Sequence, residues 1–147
     1  IMIPIEEELV NALYKPTQWQ VHPDPTEHNR RSIYLIAKRN LHLPFMEVFD
    51  APDQLVSCAR RETSTHAPQA LELLNGTFTN QQAEVFAQRL LKLSGGNKQR
   101  MIDHAYQIVA GRRPTAKERA VALEFAQGAS PREFALAMFN LNSFLYV

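Results

Sequence analysis

The chain has 147 residues, with 16 Lys and Arg against 15 Asp and Glu, a formal net charge of +1. This near-neutral balance argues against a dedicated nucleic-acid-binding protein, which usually carries a strong basic excess. The single cysteine, Cys58, excludes an internal disulfide, a multi-cysteine metal site and the two-cysteine motif of covalent c-type haem attachment. No apolar run reaches the roughly 20 residues that a membrane-spanning helix needs.

Prolines and glycines divide the chain into two parts. Most of the nine prolines lie at or before Pro68, whereas all five glycines lie at or after Gly76. This distribution predicts a Pro-rich, loop-rich N-terminal part and a helical C-terminal part. We expect residues 1–27 to be an arm or the end of a preceding region, and residues 28–147 to form a single helical domain. Because the first residue is Ile1 and not Met, we expect a piece of a longer protein.

The first half of the chain predicts few regular elements. Pro4 and the three glutamates after it favour a helix start, since carboxylates are stabilised at a helix N-terminus, and Lys15-Pro16 ends that helix. Residues 17–27 are predicted as loop. The apolar run at residues 33–37 fits a buried strand or a buried helix, and periodicity does not separate the two. We favour a helix there because no other segment is a good strand partner.

The second half predicts a series of amphipathic helices. A short helix covers residues 68–75, and two longer helices end at Gly95-Gly96 and at Gly111. Their apolar residues recur at three- and four-residue spacing: Ala83, Phe86, Ala87, Leu90 and Leu91 in the first, and Met101, Ile102, Ala105, Ile108 and Val109 in the second.

Two capping boxes predict the starts of the last helices. In each, a hydroxyl residue precedes a glutamate by three positions: Thr115 with Glu118, and Ser130 with Glu133. We expect the final helix to bury Phe134, Ala137, Met138, Leu141 and Leu145. The fold class expected from the sequence is therefore mainly α, with at most a little strand in the front half.

One irregular segment, residues 44–66, concentrates polar side chains that could line a site. Its candidate cluster consists of Asp50, Asp53, Cys58, Arg60 and Arg61. One interpretation is structural: an aspartate pairs with an arginine and orders a loop that has no helical stripe. The other is a ligand-binding cleft lined by the same residues. The five histidines show no metal-binding spacing, so no metal site is predicted.

A set of short motifs carries a family resemblance over roughly residues 28–147. The motifs are His28-Asn-Arg-Arg-Ser-Ile-Tyr34, Phe49-Asp-Ala-Pro-Asp53, Ser57-Cys-Ala-Arg-Arg61, Pro68-Gln-Ala-Leu71, Leu73-Leu-Asn75, Gly111-Arg-Arg-Pro-Thr115 and Asn142 to Val147. In this order they resemble the C-terminal domain of unknown function of large surface proteins of planctomycetes and related bacteria. That family usually ends in Asn-Glu-Phe-Leu-Tyr, and Ser143 stands here in place of the glutamate.

The resemblance implies a context but no catalytic residue. Such parent proteins typically carry a signal peptide and often a c-type cytochrome module, so export to the periplasm or cell surface is expected. Any haem is then expected on another module, with no cofactor held by this segment.

Two functions remain open. One is a non-catalytic interaction or scaffold domain that contacts other domains of its parent, a polysaccharide or an envelope protein. The other is an enzyme domain, or part of one, acting on an envelope or polysaccharide substrate.

Overall fold

The computed structural model confirms a mainly α protein. It describes residues 1–13, 15–38, 41–52, 57–60 and 66–145. Within these ranges there are eight α-helices, three short 3₁₀ helices and no sheet. The chain separates into two compact units, Ile1–Ser64 and Thr65–Val147. The arm expected at residues 1–27 stays a prediction, because compactness alone does not test it.

The described helices are numbered in chain order. The first unit contains α1 (Glu7–Asn11) and α2 (Pro44–Val48), with 3₁₀ helices at Pro16–Gln18, Pro25–Asn29 and Ser32–Tyr34. The second contains α3 (His66–Asn75), α4 (Thr77–Ser94), α5 (Lys98–Val109), α6 (Ala116–Gly128), α7 (Pro131–Phe139) and α8 (Asn142–Leu145).

The carbonyls of the first three residues accept hydrogen bonds from distant parts of the N-terminal unit. The Ile1 carbonyl accepts a bond from the Ile36 amide at 2.9 Å, and the Met2 carbonyl accepts one from the His22 amide at 2.9 Å. The indole of Trp19 is buried and donates to the Ile3 carbonyl at 3.0 Å. Lys38 Nζ lies 5.2 Å from the centre of the Trp19 ring, within cation–π range. Trp19 is therefore fixed by a backbone hydrogen bond and by the Lys38 ammonium group.

The apolar run at residues 33–37 forms neither the favoured helix nor a strand. A single 3₁₀ turn covers Ser32–Tyr34, and Leu35 is already extended, with φ −74° and ψ 148°. Ile33 is 78% exposed and Tyr34 54% exposed. The preference for a helix was wrong because the run is not buried, so no packing surface selects a regular element.

The C-terminal unit is a helical bundle built around α4. This helix packs most extensively against α7 and also against α3 and α5. The core is one cluster of buried side chains drawn from α4 to α7, with Leu90 and Ile102 fully enclosed. Several of its members are alanines, which let the helix backbones approach closely. This cluster confirms the predicted buried faces of α4 and α5 in their central turns.

The predicted end of α4 at Gly95 and the predicted capped starts of α6 and α7 are confirmed. Gly95 ends α4 in the left-handed region, with φ 59°, which glycine adopts without a steric penalty. Thr115 and Glu118 form the capping box of α6, and Ser130 and Glu133 form that of α7. Each box pairs a hydroxyl with a backbone N–H and a carboxylate with the cap amide.

Two details of the predicted stripes were wrong. Leu91 is 41% exposed and Ile108 is 42% exposed, because both lie at the edge of a narrower buried arc. The last helix also does not run on to Leu145. It stops at Asn140, whose side-chain amide donates to the Leu136 carbonyl at 3.0 Å, and a separate turn, α8, follows.

Candidate functional site

Asp50, the first residue of the predicted polar cluster, ends a short helix. Its φ is 56°, and it is half-buried just beyond the C-terminus of α2. The Ala51 amide donates to the Met46 carbonyl at 2.9 Å, and the Asp50 amide donates to the Glu47 carbonyl at 3.0 Å. These two bonds around a left-handed residue define a Schellman motif. The Phe49-Asp-Ala-Pro stretch therefore has a backbone role as a helix terminator.

The other described members of the cluster lie on the surface. Cys58 and Arg60 are both exposed, and the Cys58 thiol donates to the backbone carbonyl of Arg60 at 3.2 Å. Asp53 and Arg61 lie outside the described residues. The predicted pairing of Asp50 or Asp53 with Arg60 or Arg61 therefore stays a prediction, as does a cleft at residues 44–66.

A second polar cluster, in the C-terminal unit, is ordered by direct contacts. Arg112 donates to both carboxylate oxygens of Glu118, with Nη1 2.8 Å from Oε2 and Nη2 2.7 Å from Oε1. Oε2 also accepts from the amide of Thr115 at 2.7 Å and from its hydroxyl at 2.9 Å. Glu118 thus receives four hydrogen bonds. We call Arg112, Thr115 and Glu118 the clasp, since they tie the turn after α5 to the start of α6.

The clasp sets the protonation of its own carboxylate. Hydrogen bonds from Arg112, then from Thr115, lower the pKa of Glu118 from 4.5 to about 2. Tyr106 lies nearby, and burial followed by the charge of Glu118 raises the pKa of its phenol. Glu118 is consequently an ionised acceptor at any neutral pH, and a weak base.

An open hollow of about 510 Å³ lies beside the clasp. Arg112 and Glu118 form part of its wall, and the rest comes from the end of α7 and the start of α8: Asn140, Leu141, Asn142 and Ser143. The structure therefore brings together two motifs that are far apart in sequence, the one at 111–115 and the one that begins at Asn142. Ser143 contributes to this wall where the resembled family has a glutamate.

Sequence reasoning found the capping half of the clasp and missed the arginine. Thr115 and Glu118 stand at capping-box spacing, which is a local signal. Arg112 reaches Glu118 across the turn that contains Pro114, and nothing in the spacing of the two residues indicates that contact. The nearest signal was the Gly111-Arg-Arg-Pro-Thr115 motif itself.

Comparison with protein families shows which family the chain is related to. Residues 4–126 match the family model PSD1, described as a protein of unknown function (DUF1553). The chain belongs to the PSD1 family. The matched region includes Asp50 and the whole clasp and ends before Asn140. No curated protein and no solved structure matches the chain.

Metal sites and membrane-spanning helices are absent from the described part of this PSD1-family chain. Within the described ranges, no group of three or more His, Cys, Asp or Glu side chains is arranged to hold a metal ion. None of the described helices combines the length and the apolar character that crossing a bilayer requires.

Proposed function

We propose that this chain is a non-catalytic interaction domain of a larger exported bacterial envelope protein. The observation that carries the proposal is the clasp. Its carboxylate accepts four hydrogen bonds and has a pKa of about 2, so it has little capacity to take a proton from a substrate. The strongly shifted carboxylate of Glu118 therefore holds the turn before α6 together, through Arg112 and Thr115.

Asp50 supports the same proposal from the N-terminal unit. Its left-handed backbone completes a helix end, which is a sufficient reason for a small polar residue at this position. Cys58 and Arg60, the other described members of the predicted cluster, are exposed.

The family resemblance supplies the proposed context. Large planctomycete-type surface proteins carry this kind of domain near the C-terminus, often together with a c-type cytochrome module. In that setting the domain contacts other domains of its parent, a polysaccharide or an envelope protein, at the periplasm or cell surface. Any haem is attached to another module, because covalent attachment needs two cysteines and this chain has one.

The test is co-sedimentation with insoluble envelope material from a bacterium that encodes the protein. We expect the purified chain to pellet with this material and to release no soluble sugar from it. Bovine serum albumin in the same buffer controls for trapping in the pellet. Failure to pellet above this control would contradict an interaction with the insoluble envelope.

The same experiment measures the competing enzyme function at residues 44–66. Time-dependent release of reducing sugar that disappears in Asp50→Asn would contradict the non-catalytic proposal. Asparagine has nearly the same size as aspartate and also tolerates the left-handed backbone, so loss of release would show that the carboxylate itself is required. Unchanged release would assign the sugar to a contaminating activity.

A further inference from the structure

A second hollow, distinct from the one beside the clasp, lies on the outer face of α5. It has a volume of about 370 Å³ and is lined by Leu93, Arg100, Asp103, His104, Gln107 and Arg113. We call it the basic hollow. Arg100, His104 and Gln107 follow one another at four- and three-residue spacing, so they share one face of the helix. Arg113 approaches from the turn after α5.

The charges around the basic hollow do not cancel. Asp103 is its only carboxylate, and that group already has a partner, since Arg119 Nη1 lies 2.7 Å from Asp103 Oδ1. Among the residues that the structure describes, neither Arg100 nor Arg113 lies within ion-pair distance of a carboxylate. Two guanidinium charges on the lining are therefore uncompensated.

The donors of the basic hollow suit one class of ligand. The two guanidinium groups, the imidazole of His104 and the amide of Gln107 all carry N–H donors. Guanidinium groups bind phosphate through paired hydrogen bonds, and two of them match a doubly charged anion. A carboxylate ligand offers two oxygens and one charge, and would leave part of this donor set unused.

We propose that the basic hollow binds a tetrahedral oxyanion group, a phosphate or a sulfate. The site is independent of the interaction role proposed above, because none of its residues belongs to the clasp or to the segment 44–66. The group arrives either as the free ion or carried on a larger molecule. Arg100 and Arg113 supply the charged donors for the anion, and the charge of Asp103 is offset by Arg119.

Calorimetric titration of the full chain with inorganic phosphate tests the proposal, with ionic strength held constant by chloride. We expect saturable binding. Arg100→Gln and Arg113→Gln should each weaken it about tenfold, since each removes a charged hydrogen-bond donor. Arg89→Gln, at an exposed arginine on α4, is the matched control and should bind like the wild type.

A variant with the opposite expected sign makes the test sharper. Asp103→Asn removes the only carboxylate of the hollow and should tighten phosphate binding. Absence of saturable binding, or an equal loss in Arg89→Gln, would overturn the proposal, because attraction to overall charge would then explain the data. Equal binding of acetate would overturn the tetrahedral preference.

Two ligands distinguish the source of the group. Inorganic phosphate represents the free ion, and a hexose phosphate represents the same group on a larger molecule. Equal affinity for both supports recognition of the free ion. Tighter binding of the hexose phosphate supports a carried group, with the exposed side chain of Leu93 as the apolar contact at the rim.

Discussion

The backbone conformation at position 50, and not the carboxylate alone, explains why an aspartate stands there. Left-handed conformation costs an ordinary L-residue roughly 1–2 kcal/mol, while glycine adopts it freely and asparagine or aspartate adopts it with a smaller penalty. The helix end at α2 needs this conformation because the Ala51 amide must reach the Met46 carbonyl. The Phe49-Asp-Ala-Pro stretch, which the sequence suggested as a carboxylate site, therefore has a structural role in ending helix α2.

Three substitutions at Asp50 separate these contributions. Asp50→Asn, Asp50→Gly and Asp50→Ala all remove the charge, and alanine is the most strained of the three at φ 56°. We expect the alanine variant to be less stable than the glycine variant by about 1 kcal/mol, with asparagine between them. Urea unfolding at neutral pH gives the three free energies. Equal stability of alanine and glycine would show that the conformation costs nothing here.

At the scale of the element, the clasp makes the start of α6 sensitive to pH. Glu118 has a pKa of about 2 when folded, below its ordinary value of 4.5. A carboxylate with a lowered pKa stabilises the fold above its unfolded-state pKa and loses that effect as the pH falls through its folded-state pKa. The contribution is therefore complete above about pH 4.5 and declines towards pH 2.

The prediction compares the wild type with Glu118→Gln between pH 6 and pH 2. The wild type should melt at a higher temperature at pH 6, and the difference should narrow as the acid protonates Glu118. Glu124→Gln, at an exposed glutamate on the same helix, should keep the wild-type pH slope. Parallel melting curves for Glu118→Gln and the wild type across the whole range would refute the clasp as a source of stability.

Two neighbouring leucines on helix α4 differ in burial, so truncating each of them should cost a different amount of stability. Leu90 is fully buried and Leu91 is 41% exposed. Leu90→Ala should lower the free energy of unfolding by about 2–5 kcal/mol, because it loses apolar burial and leaves a cavity. Leu91→Ala should change it by about 0.5 kcal/mol or less, as for most surface positions. Chemical denaturation measures both, and similar losses would show that the buried arc is wider than the structure indicates.

At the scale of the whole molecule, the main core lies within one unit. All members of the large apolar cluster come from α4 to α7, inside Thr65–Val147. Trp19, the only tryptophan of the chain, is buried within the N-terminal unit. Tryptophan fluorescence therefore reports on the N-terminal unit, and far-UV circular dichroism reports mainly on the helices of the other.

We expect residues 65–147, expressed alone, to fold as a helical unit with a cooperative thermal transition. The reason is that the residues of its buried cluster and of its two capping boxes all lie within 65–147. Circular dichroism during heating is the measurement, and the same segment with Leu90→Ala is the control, which should melt at a lower temperature. A segment without helical signal or without a transition would contradict the assignment of the core to this unit.

Much of the fold was predictable because its signals are local. The capping boxes at Thr115 and Ser130 join residues three positions apart, and Gly95 ends α4 next to the last apolar turn. The run at 33–37 was misjudged because its apolar character indicates burial, which the tertiary structure does not provide. Asp53 and Arg61 lie outside the described residues, so their predicted roles stay untested.

By itself the sequence determined the helical class, the capped starts of α6 and α7, the end of α4 at Gly95 and most of the buried residues of α4 and α5. All of these follow from contacts within one or two turns, where spacing decides which groups meet. Only the tertiary structure decided that Leu90 is enclosed while Leu91 is exposed, and that Asn142 and Ser143 share a hollow with Arg112. These outcomes depend on how the helices pack, and packing is set by many weak contacts between residues distant in sequence, which no local pattern records.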